Sequence, residues 1–152
     1  MVRALRRCQG TKSRVDCLLQ QAIDAWGDAA PVRFRKSDSA WDFEIYMRQR
    51  RDCQDDGCVL ASAFFPATRR ERMVLYPSLF EYDEAEQFAT MEHEIGHVFG
   101  LRHFFAQTDA GEREFPSLVF GKHSRFTIMN YGSDSRLTEA DRRDLARLYE
   151  AA

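Results

Sequence analysis

The 152-residue sequence lacks any apolar run of the roughly 18 residues that a membrane-spanning helix requires. It also lacks a basic excess, because 22 Lys and Arg residues against 24 Asp and Glu residues leave a net charge of −2. Nucleic-acid-binding proteins normally carry such an excess. Neither a repeat nor a low-complexity tract is present, and 12 Phe with 2 Trp residues provide material for a core. These features exclude a membrane span, disfavour a nucleic-acid partner and predict one folded domain over 1–152.

The N-terminus is basic and carries no acidic side chain in its first 14 residues. Its basic residues are Arg3, Arg6, Arg7, Lys12 and Arg14. We expect residues 1–12 to form a solvated basic arm. The run is not an intact secretory signal peptide, because no apolar segment follows it.

Four cysteines form two close pairs in the sequence, Cys8 with Cys17 and Cys53 with Cys58. An even number at short spacing predicts disulfides and an oxidising compartment. Four cysteines allow three pairings, and the same pattern is compatible with reduced thiols in a cytosolic protein. A zinc site built from cysteine alone is disfavoured because neither pair has CxxC spacing.

Hydrophobic periodicity predicts a helix followed by several strands in the first half of the chain. The helix is expected at 15–26, with Ser13 as N-cap and Gly27 at its end. Alternation between turn residues predicts strands at 32–36, 41–47, 58–65 and 73–76. Strands that precede a long helix, with few crossover helices between them, indicate an α+β fold.

A second helix is predicted from a capping box of Asp83 and Glu86 to about residue 99, ending at Gly100. Five apolar side chains fall on one face of it, namely Phe88, Met91, Ile95, Val98 and Phe99. His93 and His97 share the opposite face. The helix therefore presents two faces with different roles.

The remainder of the chain is predicted to hold a long surface loop and a final helix. Residues 104–126 show no sustained period, which is typical of a loop. Thr138 and Asp141 predict the start of a helix that continues through Leu145 and Leu148 to Tyr149.

Residues 93–103 read HEIGHVFGLRH and carry a pattern typical of a metal site. His93 and His97, spaced i and i+4, project together from a helix and can bind one metal ion. Gly100 can adopt a positive φ and turn the chain back, which brings His103 as a third ligand. Three histidines leave one zinc position for water, the open arrangement of a catalytic site. Glu94 is placed to accept a proton from that water.

The pattern predicts a zinc-dependent hydrolase. Zinc lowers the pKa of a bound water to about 7 and offsets negative charge in a tetrahedral intermediate. Glu94 would take the water proton and pass it to the leaving group. Expelling an amine requires such a proton donor, so peptide-bond hydrolysis is the predicted reaction. The alternatives are a satisfied histidine cluster and a zinc ion that only stabilises the fold.

These residues resemble the extended zinc motif HExxHxxGxxH of the metzincin metalloproteases. Residues 127–132, TIMNYG, are similar to the Met-turn of that family, which would make Met129 the apolar floor beneath the zinc ligands. Further segments, at 31–34, 59–66 and 137–149, resemble the matrixin catalytic domain. The resemblance implies an α+β zincin fold. A twisted mixed sheet would lie above an active-site helix, with a substrate cleft between them and a helix at the C-terminus.

The resemblance also implies where substrate binds. Residues 59–66 are similar to the matrixin edge strand, which holds the substrate as an added antiparallel strand. The implied substrate-binding residues there are Leu60, Ala61, Ser62 and Ala63. By the same resemblance Ala89 floors the pocket for the side chain just after the scissile bond, and its small size would leave a deep, apolar pocket. Alternatively, Ala89 is only a good helix former.

Several features depart from the matrixin pattern. Tyr131 resembles a tyrosine of astacins and serralysins that binds zinc or hydrogen-bonds the oxyanion, the alternative being simple packing beside the site. Phe104, directly after the third ligand, matches none of these subfamilies. Ser62 stands where matrixins usually supply a ligand for a second, structural zinc, and the fourth histidine, His123, is expected on the loop without a catalytic role. We therefore expect one catalytic zinc ion. Calcium is compatible with the many Asp and Glu residues, but no spaced oxygen-ligand motif supports it.

Taken together, the sequence predicts a single metalloendopeptidase domain over 1–152 that cleaves protein or peptide substrates. We expect it to be secreted or periplasmic, and monomeric. One alternative is a catalytically silent module that captures peptides, which the presence of Glu94 beside three ligands disfavours. Another is a narrow aminopeptidase or amidase, which would act only at chain ends.

Overall fold

The computed structural model describes residues 10–66, 71–108, 117–119, 122 and 125–151. Its helices are α1 (Thr11–Trp26), α2 (Glu84–Val98) and α3 (Glu139–Glu150), with a 3₁₀ helix at Pro77–Glu81. Its strands are β1 (Phe43–Met47), β2 (Cys53–Gln54), β3 (Gly57–Cys58), β4 (Ala61–Ser62) and β5 (Glu71–Leu75). Within the described part, no helix has the length and apolar character that a bilayer crossing demands.

The strands form a three-stranded mixed sheet and a separate hairpin. In the sheet the order is β1-β5-β4, with β5 parallel to β1 and antiparallel to β4. The hairpin pairs β2 with β3. Helices and a mixed sheet in this order confirm the predicted α+β class.

The first helix begins at Thr11, four residues before the predicted start, so the prediction of Ser13 as N-cap is wrong. Gly10 is the N-cap and makes no side-chain cap hydrogen bond. Its φ of 85° is one that glycine adopts without strain, so the backbone alone brings the chain into the helix. The helix ends at Gly27 as predicted, with Trp26 fully buried against α2.

One strand prediction is wrong and a second is wrong in part. Residues 32–36 form no strand, because the segment pairs with no other strand. Phe34 packs edge-to-face against Phe43 and Phe99. Residues 58–65 contain the end of β3 at Cys58 and the short β4 instead of one strand, because Cys58 pairs within the hairpin and β4 joins β5. Alternation in sequence is therefore not enough to predict a strand, because a strand also needs a partner.

Helix α2 passes through the middle of the molecule. Its N-cap is Asp83, whose side chain accepts a hydrogen bond from the Glu86 N–H at 2.9 Å. Residues 91–97 are all buried. Met91 and Ile95 face the hydrophobic core, whereas the histidine face lines a cleft, so the predicted division of the helix into two faces is correct.

The disulfide prediction is confirmed for the second pair. Cys53 and Cys58 face each other in the β2–β3 hairpin and are bonded. Cys17 is also disulfide-bonded. Its sequence neighbour Cys8 lies outside the described residues, as do most of the predicted basic arm and His123.

Candidate metal centre and substrate cleft

Three imidazoles converge at one point beside α2. The Nε2 atoms of His93 and His97 lie 3.1 Å apart, and the Nε2 of His103 lies 3.1 Å from the first and 3.2 Å from the second. Tetrahedral zinc with bonds of 2.0–2.1 Å would space its nitrogen ligands by about 3.3–3.4 Å. The triangle therefore has the size that a zinc ion requires.

The hydrogen bonds of two rings fix which nitrogen carries the proton. His93 Nδ1 lies 2.6 Å from the Ile128 carbonyl oxygen, and His97 Nδ1 lies 2.8 Å from that of Leu101. A carbonyl oxygen only accepts, so each Nδ1 must donate its N–H. In a neutral ring the Nε2 then carries a lone pair directed at the other imidazoles, as metal-binding histidines require.

Burial keeps one of these rings neutral. It lowers the pKa of His97 to about 3, and the neighbouring His93 acts in the same direction. At neutral pH the His97 imidazole is therefore uncharged, the form that binds metal. Lone pairs at this separation with no proton between them repel, and a shared cation removes that repulsion. The donor set fits zinc.

Gly100 ends α2 with a turn that places His103 beside the other two histidines. Gly100 has φ of 99°. Its N–H bonds to the His97 carbonyl at 2.8 Å, and the Leu101 N–H bonds to the Gly96 carbonyl at 2.9 Å. This pair of bonds is a Schellman motif, which turns the chain back toward the helix and positions His103.

Glu94 is buried in the wall of the same cleft. Its carboxylate accepts a hydrogen bond from the Ala63 N–H, yet burial raises the pKa of Glu94 to about 8. The Oε2 atom is buried with no hydrogen-bond partner, although the residue is only 5% exposed. A buried polar atom without a partner is costly, so its retention indicates a ligand or water in the cleft. A cation held by the three imidazoles would lower this pKa again.

A cleft of about 820 Å³ runs between β4 and α2 and contains most of the predicted site residues. The three histidines and Glu94 line it. So do all five residues assigned to substrate binding, namely Leu60, Ala61, Ser62, Ala63 and Ala89. The structure therefore brings the metal-binding and edge-strand predictions together at one surface.

Met129 lies directly beneath the histidine-bearing helix. A Cβ atom added to Gly96 would stand 2.5 Å from the Met129 Sδ and 3.2 Å from the Trp26 ring. Met129 is 5% exposed. The absence of a side chain at Gly96 thus permits the close approach between the helix and the methionine.

The turn that carries Met129 is held by a buried carboxylate. Thr127 Oγ1 donates to Asp141 Oδ1 and accepts from the Met129 N–H. The other Asp141 oxygen accepts the Thr138 N–H at 2.7 Å, which completes the predicted capping box of α3. The Phe104 N–H donates to the Met129 carbonyl at 3.1 Å, so the turn is also tied to the His103 loop.

Tyr131 stands at the rim of the metal centre. Its ring is 4.6 Å from that of His103 and 5.6 Å from that of His93, measured between centroids. The side chain is 68% exposed and lines the cleft. The structure thus places Tyr131 next to two of the three proposed ligands.

No second group of metal-binding side chains is found in the described residues. The three histidines are the one set of at least three His, Cys, Asp or Glu ligand atoms that lie close enough together to hold an ion. The carboxylates of the described residues form no such set, so calcium binding gains no support from them.

Comparison with known proteins gives the family. A family model described as Matrixin matches residues 6–110, which include β4 and the whole HExxHxxGxxH pattern. The chain belongs to the matrixin family. Stromelysin-3 of Xenopus laevis is 32% identical over 110 residues, and those of Homo sapiens and Mus musculus are 31% and 30% identical. Each match covers 62% of this matrixin and 22% of the relative, so the chain spans about a fifth of the relatives' length.

The family match ends before Met129 and Tyr131, so the position of these residues in this matrixin rests on the structure. Sequence reasoning missed two other residues beneath the site. Gly96 carried a signal, because an isolated glycine inside a helix costs about 1 kcal/mol and commonly marks close packing. Asp141 was recognised only as a cap, and nothing local in sequence reveals that its second oxygen holds Thr127.

We expect Gly96→Ala to destabilise this matrixin by about 1–3 kcal/mol, because the new methyl group overlaps the Met129 side chain. On helix propensity alone the change would stabilise by about 1 kcal/mol, so the two effects have opposite signs. Denaturant unfolding of Gly96→Ala, Met129→Ala and the double variant measures the coupling. Additive losses in the double variant would contradict the contact.

Proposed function

We propose that this matrixin is a zinc-dependent endopeptidase that cleaves extended protein or peptide substrates. One observation carries the proposal. Three Nε2 atoms converge at 3.1–3.2 Å in the wall of a cleft, beside a buried carboxylate with an oxygen that has no partner. The proposed ligands of a single catalytic zinc ion are His93, His97 and His103.

The residues of the chain have separate roles in this mechanism. When bound, zinc would lower the pKa of a water molecule to about 7 and offset charge on the substrate carbonyl oxygen. Glu94 accepts a proton from the attacking water and returns it to the leaving amine. The Ala63 N–H holds the Glu94 carboxylate in place at the cleft wall. Tyr131 assists by donating a hydrogen bond from its hydroxyl group to the developing oxyanion. Met129 forms the apolar floor.

Substrate binding follows from the free edge of β4. Among the described residues, β4 pairs with β5 on one side and with no strand on the other. An extended peptide can therefore add to Leu60, Ala61, Ser62 and Ala63 by backbone hydrogen bonds, and we propose that it runs antiparallel to β4. Ala89, one turn before His93, leaves room for an apolar side chain just after the scissile bond.

The shape of the cleft favours an endopeptidase over an enzyme that acts on chain ends. The lining runs from Asp52 and Gln54 of the hairpin region, along the histidines, to Phe65 beside His97 and to Arg102. A peptide can therefore continue on both sides of the scissile bond. Disulfide-bonded cysteines are consistent with a secreted or periplasmic location, which we propose for this protein. We also propose that it is a monomer with one catalytic domain over 1–152.

Digestion of casein and of a mixed peptide library tests the proposal. We expect internal cleavage that 1,10-phenanthroline abolishes and that added zinc restores. Cleavage confined to chain ends would support an aminopeptidase instead. Zinc-loaded protein that binds peptides without cutting them would be the silent module, and activity that resists the chelator would contradict the zinc mechanism.

A further inference from the structure

The charges that line the cleft are unevenly distributed. Three carboxylates lie at one end, on Asp52 and Asp56 of the β2–β3 hairpin region and on Glu86 of α2. We call these three residues the acidic wall. All are exposed, and no ion pair in the described part of the chain engages them. Arg102, the one Lys or Arg that lines the described cleft, lies at the other end, with its guanidinium 5.4 Å from the Phe65 ring.

Contacts between β4 and α2 establish this order along the cleft. Glu94 accepts a hydrogen bond from Ala63, and His97 packs 5.4 Å from the ring of Phe65, so the helix and the edge segment run in the same direction. Glu86 precedes Glu94 by eight residues, or about 12 Å along a helix. Val59 precedes Ala63 by four residues, or about 13 Å along an extended segment. Both counts place Glu86 beside the hairpin end of β4.

A buried side chain outside the acidic wall, which also supports the proposed function, indicates that this cleft holds a ligand. Glu94 lines it, is more than nine-tenths buried, and has an Oε2 without a hydrogen-bond partner. The acidic wall is a poor cation site by comparison, because its carboxylates are not among the groups close enough to share an ion. Its charges instead lie along the path that an added peptide strand would follow.

We propose that the acidic wall selects substrates with Lys or Arg two to four residues after the scissile bond. The inference rests on the proposed function, because antiparallel addition to β4 sends the substrate's C-terminal residues toward the hairpin. A distance of about 12 Å from Glu94 corresponds to three or four extended residues. Each exposed ion pair changes an equilibrium constant by about 1.5- to 5-fold, so the three together give a measurable preference.

Matched peptides test this preference on the zinc-loaded protein. The set shares one cleaved core and carries Lys, Gln or Glu at the third residue after the scissile bond, or Lys at the third residue before it. We expect kcat/KM to fall about 3- to 10-fold from Lys to Gln and again from Gln to Glu. Lys before the bond should give no gain. The preference should shrink in 0.5 M NaCl, because salt screens exposed charges.

Two double variants with equal changes in net charge separate the acidic wall from general electrostatics. Asp56→Asn with Glu86→Gln should reduce the Lys-to-Gln ratio below 2. Asp55→Asn with Glu84→Gln changes neighbouring carboxylates that do not line the cleft, and should keep most of the ratio. Equal cleavage of the Lys and Glu peptides, or equal losses in both double variants, would overturn the inference.

Binding to the Glu94→Gln variant keeps this test distinct from that of the proposed function. Dissociation constants of the same peptides report the preference without any cleavage. Tighter binding of the Lys peptide to this variant, together with no cleavage of any peptide by the unaltered zinc-loaded protein, would support the acidic wall and contradict the endopeptidase. Cleavage by the unaltered protein, with equal binding of all peptides to the variant, would support the endopeptidase and contradict the acidic wall.

Discussion

Replacing Glu94 with glutamine is expected to lower kcat/KM for peptide cleavage by about 10²- to 10⁴-fold while leaving one zinc ion per chain. The amide keeps the shape of the side chain but cannot accept the proton of the attacking water. Zinc content is measured by mass spectrometry of metals, and cleavage by a fluorogenic peptide. Retention of the metal matters because Glu94 is proposed as a base and not as a ligand.

Glu92→Gln is the matched control for Glu94→Gln. Glu92 lies on the same helix, is also buried, and burial raises its pKa to about 7, but it does not line the cleft. We expect this variant to cleave within about twofold of the unaltered protein. Full activity in Glu94→Gln would refute the assigned role. An equal loss in both variants would show that any charge change on α2 disturbs the site.

Replacing His97 with alanine is expected to weaken zinc binding by more than about 10³-fold. Loss of a residue that merely supports a ligand costs about 10- to 100-fold, and loss of a ligand itself should cost more. His97 is well suited to binding because burial lowers its pKa to about 3 and Leu101 fixes its Nδ1–H. Competition with a chromophoric chelator measures the zinc affinity. Cleavage by the variant should disappear when the solution contains less zinc than protein.

His123→Ala is the control for this substitution, because His123 is the one histidine of the sequence that is not a proposed ligand. We expect its zinc affinity to equal that of the unaltered protein. A His97→Ala variant that binds zinc as tightly as the parent would contradict the proposed ligand set. Denaturant unfolding of both variants and of the unaltered protein separates loss of the metal site from loss of the fold.

Local sequence patterns predicted α2 and the grouping of three histidines beside it. The i, i+4 spacing of His93 and His97 fixes a shared helix face, and Gly100 fixes the turn that returns His103. Both depend on backbone geometry within a few residues. The strand predictions were less accurate, since residues 32–36 alternate like a strand but find no partner. Pairing depends on residues far apart in the chain, which periodicity does not report.

The sequence alone determined the three histidines, the neighbouring carboxylate and the residues of the edge segment. Short-range spacing and resemblance were enough for these. Only the tertiary structure showed that Ala63 holds Glu94, that Gly96 makes room for Met129, and that Asp141 anchors the turn beneath the histidines. It also placed the hairpin carboxylates and Glu86 at one end of the cleft. Each of these facts joins segments that are distant in sequence, and only packing of the whole chain sets such distances.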